Sequence, residues 1–425
     1  MTLAEYEADM AACSRCSSCK WVPFNQIKSW RFARSCPALA RFSFHAYSGT
    51  GRMSMGLSML KGRSELSEEV AEIIYRCQLC GACDVSCKVY RDDIDLSEVL
   101  MELRASCVEG GQLIADHMLT VDALKRENNV FGEPRSARAA WADGLGLKDT
   151  GRESAKVLLH TGCRYSYDTD LWPALRQAAR LLQGSGVDVG IAGVQEACCG
   201  GRVYELGYQG DAANFADDMI SRVKASGADM VVTACSDCFA AFHYLYPRMG
   251  KSLGVEVMHM SEFMQKLIGQ GRIDLPGAVP MRVTYHDPCH LGRMGEPYLA
   301  WNGDKLKRPQ YLKRTGRRGV YDAPRAVLSA ISELELTEME RIREYSWCCG
   351  AGGGVLDAFP EFASWTARER LDEAAATGAD ALVTACPWCV RIFRDAVEEH
   401  GLSIRILELT ELVAQAAGME GEDVT

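Results

Sequence analysis

GADMVVTACSDCFAAF, from Gly227 to Phe242, and GADALVTACPWCVRIF, from Gly378 to Phe393, are one segment written twice, 151 residues apart. Each carries a short apolar run, VVT or LVT, then a C-x2-C loop and a helical pattern, the order of a strand turning into a helix. The match continues outward. KVLLHTGC, ending at Cys163, parallels RVTYHDPC, ending at Cys289, and EACCGG at Glu196 to Gly201 parallels SWCCGA at Ser346 to Ala351. VEVMHMSEFMQKL from Val255 parallels IRILELTELVAQA from Ile404, each an apolar run followed by a Ser or Thr N-cap and an amphipathic helix. A duplicated domain follows. Strand runs alternating with helical patterns of about 10 to 15 residues predict βαβ units around a parallel sheet in each copy. Cys163, Cys235, Cys289 and Cys386 then fall just past strand C-termini, where open α/β sheets hold ligands. Cys235 and Cys386 also open helices, whose N-terminal amides favour thiolates.

The chain has 425 residues, enough for two to four domains, and its 48% apolar and 24% charged residues are those of a folded globular protein. Residues 1–110 show helical spacing at Leu66 to Tyr75 and Leu96 to Ser106, with no strand alternation. The stretch 111–150 is polar and irregular in places and reads as a linker wrapping between domains. The first copy spans 151–275 and the second 276–425. The expected class is therefore α+β multidomain, a helical region followed by two duplicated α/β domains with parallel sheets.

MTLAEYEADM lacks the charged start and apolar run of a secretory signal, and no stretch approaches a membrane span. A reducing cytoplasm is the expected setting, where 19 clustered cysteines read as metal ligands before disulfides. A net charge of −10 argues against nucleic acid as partner.

The helical region holds Cys13, Cys16 and Cys19 with a later Cys36 before Pro37, then Cys77, Cys80, Cys83 and Cys87. C-x2-C-x2-C sets three thiolates on one tight loop, and a distant fourth closes the ligation of a 4Fe-4S cubane. In two-cluster ferredoxin arrangements the fourth Cys serves the other cluster. Crossing therefore assigns Cys13, Cys16, Cys19 and Cys87 to one cubane and Cys77, Cys80, Cys83 and Cys36 to the other. Zinc is the rival, although structural zinc sites pair two C-x2-C units. Lys88 stands where the pattern has Pro after Cys87.

Each repeated copy supplies one Cys, an adjacent pair followed by Gly, and C-x2-C. These are Cys163, Cys198, Cys199, Cys235 and Cys238, then Cys289, Cys348, Cys349, Cys386 and Cys389. Gly200 and Gly350 permit the turn that brings both members of each pair to one site. This pattern in tandem resembles the cysteine-rich CCG domain of heterodisulfide reductase catalytic subunits and related iron–sulfur oxidoreductases. The whole chain is similar to the fused form, a helical two-cluster ferredoxin domain before two CCG domains, and the resemblance uses 18 of the 19 cysteines. It implies a noncubane 4Fe-4S cluster on each five-cysteine set, with these ten cysteines the reactive centre. Such relatives include electron acceptors for electron-transferring flavoprotein, quinone-linked dehydrogenase subunits and the electron-input subunit of benzoyl-CoA reductase complexes of anaerobic metabolism. The expected function is an oxidoreductase subunit relaying electrons between a flavoprotein-type partner and another redox enzyme. Disulfide or heterodisulfide reduction is the alternative, and quinone reduction with a peripheral membrane partner is a third. No flavin or nicotinamide site is evident, so electrons must arrive from another protein.

Charge is uneven. Arg15, Lys20, Lys28, Arg31, Arg34, Arg41, Arg52, Lys61 and Arg63 give +9 between Asp9 and Glu65, leaving the rest near −19. They serve either docking of an acidic redox partner or a membrane face, or neutralisation of the anionic clusters. The second copy has 58 residues between Cys289 and Cys348 against 34 between Cys163 and Cys198, and the basic insert WNGDKLKRPQYLKRTGRRG is expected to shape an entrance or partner surface. Cys107 reads as a buried helix residue, His286 and His290 as hydrogen-bond partners of sulfur or proton donors to it, and GAGGG at Gly350 to Gly354 as a turn.

Overall fold

The computed structural model describes residues 2–303 and 307–419. The aliphatic runs form the strands, and among these residues nine strands make two sheets. The first contains β1 (Lys148–Asp149), β2 (Val157–His160), β3 (Val189–Ile191), β4 (Met230–Thr233) and β5 (Glu256–His259), in the order β1-β3-β2-β4-β5. The second contains β6 (Ala278–His286), β7 (Ser332–Leu336), β8 (Ala381–Thr384) and β9 (Arg405–Glu408), in the order β7-β6-β8-β9. Every pairing is parallel. β2 and β8 are buried along their whole length, as strands covered on both faces must be.

The duplication holds to the level of register. Thr233 lies opposite His160 on one side and His259 on the other. Thr384 lies opposite His286 and Glu408 in the same way. The strands of each copy thus end level, and the C-x2-C loops leave from the same rim. At the last helix of each copy the caps differ from expectation. Ser261 and Thr410 lie inside their helices, while His259 and Glu408, in extended backbone, are the caps and accept from the Ser261 and Thr410 amides. Glu262 and Glu411 accept from the cap amides at 2.9 and 2.6 Å, closing a box usually built on a hydroxyl.

Residues 2–109 are helical, with Glu7–Ala12, Pro37–Phe42, Gly49–Leu60, Glu68–Tyr75, Ala82–Lys88 and Leu96–Glu109. Leu96–Glu109 packs on Gly49–Leu60 and Glu68–Tyr75, burying Val99 and Leu103 with Met53 and Ile74. The stretch 111–150 contains the helix Ala115–Glu127, a short 3-10 segment Arg135–Ala142 and the edge strand β1.

Buried arginines tie these parts together. Arg104, fully buried, donates to the carbonyls of Cys77 (2.5 Å), Glu205 (2.8 Å) and Gly353 (2.6 Å), one in the helical region and one in each copy. Arg248 of the first copy pairs with Glu98 and, at 2.6 Å, with Glu102. Part of the basic insert turns inward, while Tyr311 and Arg317 stay exposed and Asp304 to Leu306 lie outside the described residues. Arg308 pairs with Asp95 at 2.7 Å, Lys313 with Asp92 at 3.0 Å, and Arg314 lies 3.6 Å over the Tyr244 ring. Several cations of the +9 segment are likewise engaged. Arg31 pairs with Glu369 at 2.7 Å, Lys28 donates to the Met339 carbonyl, Arg41 lies over Trp365, and Arg52 is buried against the Ile73 and Arg76 carbonyls. The local excess of positive charge meets acidic groups and carbonyls of other parts of the chain, so much of it clamps the molecule together.

Candidate metal centres

The two triplet loops share one backbone shape. Arg15 and Leu79, each two residues after the first Cys, have φ of 59° and 50°; Ser17 and Gly81, just after the second Cys, have φ of 70° and 74°. Three of these four residues carry a side chain in a left-handed region that costs on the order of 1 kcal/mol each. The same strain at matched positions marks two loops shaped around the same kind of group.

The thiols gather as follows. Cys13, Cys16 and Cys19 lie together, and the charge that would develop on Cys87 is opposed first by burial, then by Asp84 and by all three. Burial pushes Cys36 up to about 12, and its cysteine neighbours are Cys77 and Cys80. Cys83 is raised by burial, then by Cys36, Cys77, Cys19 and Cys80. Each fourth cysteine therefore stands beside the triplet of the other loop.

In the first copy thiol contacts run Cys163–Cys198–Cys199–Cys238–Cys235, and in the second Cys289–Cys348–Cys349–Cys389–Cys386. The adjacent pairs reach one site because the next residue turns back. Gly200 and Gly350 have φ of 73° and 108°. Their amides lie 3.5 and 3.4 Å from the Cys198 and Cys348 sulfurs. A Cβ on Gly350 would stand 2.4 Å from the Ala363 carbonyl oxygen, so the turn requires glycine.

The groups also touch one another. Cys80 contacts Cys348, and that contact, ahead of burial, lowers Cys80 to about 5 while Cys348 rises. Cys289 falls to about 7, first through Cys348 and, after burial opposes it, through His290. Cys235 is within electrostatic reach of Cys386, and the Ser236 hydroxyl donates to the Ala385 carbonyl at 2.9 Å. All 19 cysteines are unpaired thiols, 15 are buried, and Cys16 alone is exposed. Buried sulfurs in mutual contact, several inclined to lose their protons, are the donor set of anionic metal–sulfur clusters and fit no apolar role.

Cations face each set. Arg138 Nη2 is 3.6 Å from Cys163 Sγ and its Nη1 pairs with Glu196 at 2.9 Å. Glu196 also accepts from the Thr161 and Gly162 amides at 2.9 and 3.1 Å, fixing the loop that carries Cys163. In the second copy His286, Cys349 and Cys389 bring their ligand atoms within 4.8 Å of one another. Arg370 donates to His286 Nδ1 at 3.1 Å, which leaves Nε2 as the proton-bearing nitrogen. His290 lies 3.4 Å from Cys289 Sγ and pairs with Glu205 at 2.5 Å and Asp237 at 3.4 Å. Arg293 donates to the Cys80 and Ser346 carbonyls, joining the second triplet loop to the second copy. Asn128, whose Oδ1 accepts from the Cys198 amide at 2.6 Å, and Arg138 come from the 111–150 stretch. No spacing in the sequence links either to a cysteine. Cys107 is buried and raised to about 12, mainly by burial, away from every group.

A cysteine-rich domain model, CCG, matches residues 157–243 and 283–394, and a 4Fe-4S dicluster domain matches residues 9–90. The D component of the dihydromethanophenazine:CoB–CoM heterodisulfide reductase of Methanosarcina mazei is 31% identical over 426 residues, covering 97% of this chain and 95% of the relative. The chain belongs to the heterodisulfide reductase D family. Further members of this wider group are similar over less of their length. The EtfAB:quinone oxidoreductase of Syntrophomonas wolfei is 27% identical over 81% of this chain and 47% of its own. The B component of the fumarate reductase (CoM/CoB) of Methanothermobacter marburgensis is 29% identical over 82% of this chain and 62% of its own. As a heterodisulfide reductase-like protein, the chain is an iron–sulfur oxidoreductase that transfers electrons. Among its described residues no helix is long and apolar enough to cross a membrane.

Proposed function

We propose that this chain is the electron-relaying iron–sulfur subunit of a larger redox complex, acting in the cytoplasm between a flavoprotein-type partner and a second redox enzyme. In this reading it holds two cubane and two noncubane 4Fe-4S clusters, which when bound accept and release single electrons. Cys13, Cys16, Cys19 and Cys87 hold one cubane, and Cys77, Cys80, Cys83 and Cys36 the other. Cys163, Cys198, Cys199, Cys235 and Cys238 hold one noncubane cluster, and Cys289, Cys348, Cys349, Cys386 and Cys389 the second. The division into 1–110, 111–150, 151–275 and 276–425 belongs to the same reading.

The observation that carries it is the succession of sulfur groups from exposed Cys16 to buried Cys163, in which Cys80 touches Cys348, while Cys19 and Cys83, and Cys386 and Cys235, lie within electrostatic reach of each other. Around Cys16, Trp21, Val22, Pro23, Phe24 and Tyr90 line a hollow of about 110 Å³. That is too small for a cofactor, and an exposed rim of Phe24 and Tyr90 suits contact with a partner protein. Disulfide reduction is the second reading, favoured by the retention of all five cysteines in both copies and by the meeting of their C-x2-C loops at Ser236 and Ala385. The name of the M. mazei relative points the same way.

Anaerobic purification together with copurifying subunits tests the relay. The expected result is about 16 iron atoms per chain and a flavoprotein among the partners. A fully loaded preparation with about eight irons would remove the noncubane pair. Rapid reduction of disulfides by the isolated chain would favour the second reading.

A further inference from the structure

The cations between Asp9 and Glu65 do not all turn inward. Arg15, Lys20 and Arg34 stay beside the loop of Cys16, and each meets a neutral group. Arg15 donates to the Ser54 hydroxyl at 3.4 Å and Lys20 to His45 Nδ1 at 2.9 Å; Arg34 donates to the Ala40 carbonyl at 3.2 Å and lies 5.9 Å from the centre of the Trp21 ring. Arg31 and Lys61 of the same segment pair instead with Glu369 and Glu7. The stretch that carries the first group is held in place. Trp21 and Arg34 pair as antiparallel neighbours, and the Val22 and Ser35 amides donate to the Ala33 and Lys20 carbonyls at 2.8 and 3.0 Å. The loop between them is pinned to the second copy by Arg31 on Glu369 and by Lys28 on the Met339 carbonyl. Phe24 and Trp30 of that loop are nevertheless 69% and 74% exposed.

Tyr90, itself 53% exposed, walls two hollows. One is the small hollow that contains Cys16, Trp21 and Phe24. The other, of about 410 Å³, is lined by Lys88, Val89 and Asp92 and, from the basic insert of the second copy, by Gln310, Thr315 and Arg317. Its charges are balanced, Lys88 by Asp84 and Asp95, Asp92 by Lys313, and Arg317 by Glu344 at 3.7 Å. The positive excess of this face therefore lies at Cys16, the one exposed cysteine.

We infer that an acidic one-electron carrier protein docks on this face, its carboxylates against Arg15, Lys20 and Arg34 and its apolar centre on Phe24 and Tyr90, and exchanges electrons at the Cys16 group. This rests on the relay reading of the chain and gives that relay its outer end. Electron-transfer contacts are small and brief, and charge steers them. Two hollows of unlike size, one of them holding the carboxylate of Asp92, make a contoured surface that the side chains of a protein fill and a planar headgroup layer does not. In each encounter one electron leaves the carrier and one iron centre gains it; no bond forms or breaks.

The test uses the full-length, anaerobically purified, metal-loaded protein. Reduced flavodoxin, an acidic flavoprotein, is the probe, and reduced riboflavin, small and uncharged, is the control donor. Stopped-flow bleaching of the iron–sulfur absorbance gives both rates. The flavodoxin rate should fall at least about fivefold between about 50 and 500 mM salt, as screening shortens to a few Å. Arg15→Glu, Lys20→Glu and Arg34→Glu should each lower it about threefold or more at low salt, with iron content and the riboflavin rate unchanged. Phe24→Ala should lower it at every salt concentration. Arg152→Glu, a reversal at an exposed site of the first copy, should change it by less than about twofold. Arg15 and Lys20 adjoin Cys16 and Cys19, so if their variants lose iron, Arg34→Glu and Phe24→Ala carry the test. A flavodoxin rate indifferent to salt, a loss at Arg152→Glu equal to the losses on this face, or a wild type reduced by riboflavin and not by flavodoxin would each overturn the docking site. Binding of wild type to vesicles of anionic phospholipid, abolished by Phe24→Ala or Trp30→Ala with the flavodoxin rate unmoved, would assign the face to a membrane and overturn it too. About eight irons per loaded chain would defeat the four-cluster reading alone and leave a salt-dependent flavodoxin rate in support of the docking face.

Discussion

Glu408 and His259 occupy the same position in the two copies, opposite Thr384 and Thr233, and each caps the last helix. Both are buried at a place that asks for a neutral acceptor. Burial lowers His259 to about 3 and raises Glu408 to about 7, the rise at Glu408 being reduced by its hydrogen bond with Thr410 and increased by the charge of Glu411. The folded Glu408 carboxyl binds its proton more tightly than the unfolded one. Its stabilising contribution is therefore complete below about pH 4 and is lost as pH rises through about 7, at about 1.4 kcal/mol for each pH unit that separates the folded from the unfolded pKa. Glu408→Gln keeps the acceptor and should flatten that part of the profile, so that denaturant unfolding at pH about 8 finds the variant more stable than wild type by a few kcal/mol at most. Equal pH slopes would mean that Glu408 ionises freely. The crossed ligands give a second prediction at this scale. Cys36→Ser should perturb the centre of Cys77, Cys80 and Cys83, and Cys87→Ser that of Cys13, Cys16 and Cys19, each sparing the other in electron paramagnetic resonance spectra. Loss of the nearer triplet's signal in both variants would reverse the assignment.

At the scale of the element, the turn after each adjacent cysteine pair is built alike in two copies but under different pressure. Gly350, at φ 108° with a backbone oxygen 2.4 Å from its missing Cβ, has no room to give. Gly200, at φ 73°, faces the Phe215 side chain at 2.8 Å and the Ala212 oxygen at 3.3 Å. Gly350→Ala should cost on the order of 3 kcal/mol or more and lower iron at the second copy, while Gly200→Ala should cost about 1–2 kcal/mol. Thermal unfolding with iron analysis distinguishes them; equal losses would mean that both turns yield to the same extent. The strand runs, the C-x2-C loops and the repeat that relates them were legible because sheet burial and thiolate ligation both impose fixed spacing. The caps were not. Capping depends on which side chain can reach the helix amides, and here the residue before the apolar step into the helix reaches them in place of the expected Ser261 or Thr410.

For the whole molecule, Arg104 is the tie between the helical region and both copies. Arg104→Met would leave the Cys77, Glu205 and Gly353 carbonyls buried without their donor, at about 1–3 kcal/mol each. The expected outcome is a loss of several kcal/mol together with loosening of all three parts, read by denaturant unfolding and by hydrogen exchange at the Cys77, Glu205 and Gly353 loops. Protection lost in the helical region alone would mean that the copies hold together without it. The same scale explains the charge distribution. The +9 segment and the basic insert look like docking surfaces in the sequence, yet Arg31, Arg308, Lys313 and Arg314 find acidic or aromatic partners within the chain.

The sequence by itself determined the duplication, the parallel sheets, the helical start and the cysteine groups, because strand burial and metal–thiolate chemistry write themselves as periodic spacing along the chain. Tertiary structure alone decided what lies between the groups. The contact of Cys80 with Cys348, the approach of Arg138 and Asn128 to the first set, the His290–Asp237 pair and the packing of Arg164 on Trp388 join residues tens to hundreds of positions apart. Such contacts are fixed by how the rims of two sheets and a helical region dock. Docking depends on shape and paired charge summed over whole surfaces, and it leaves no periodic trace.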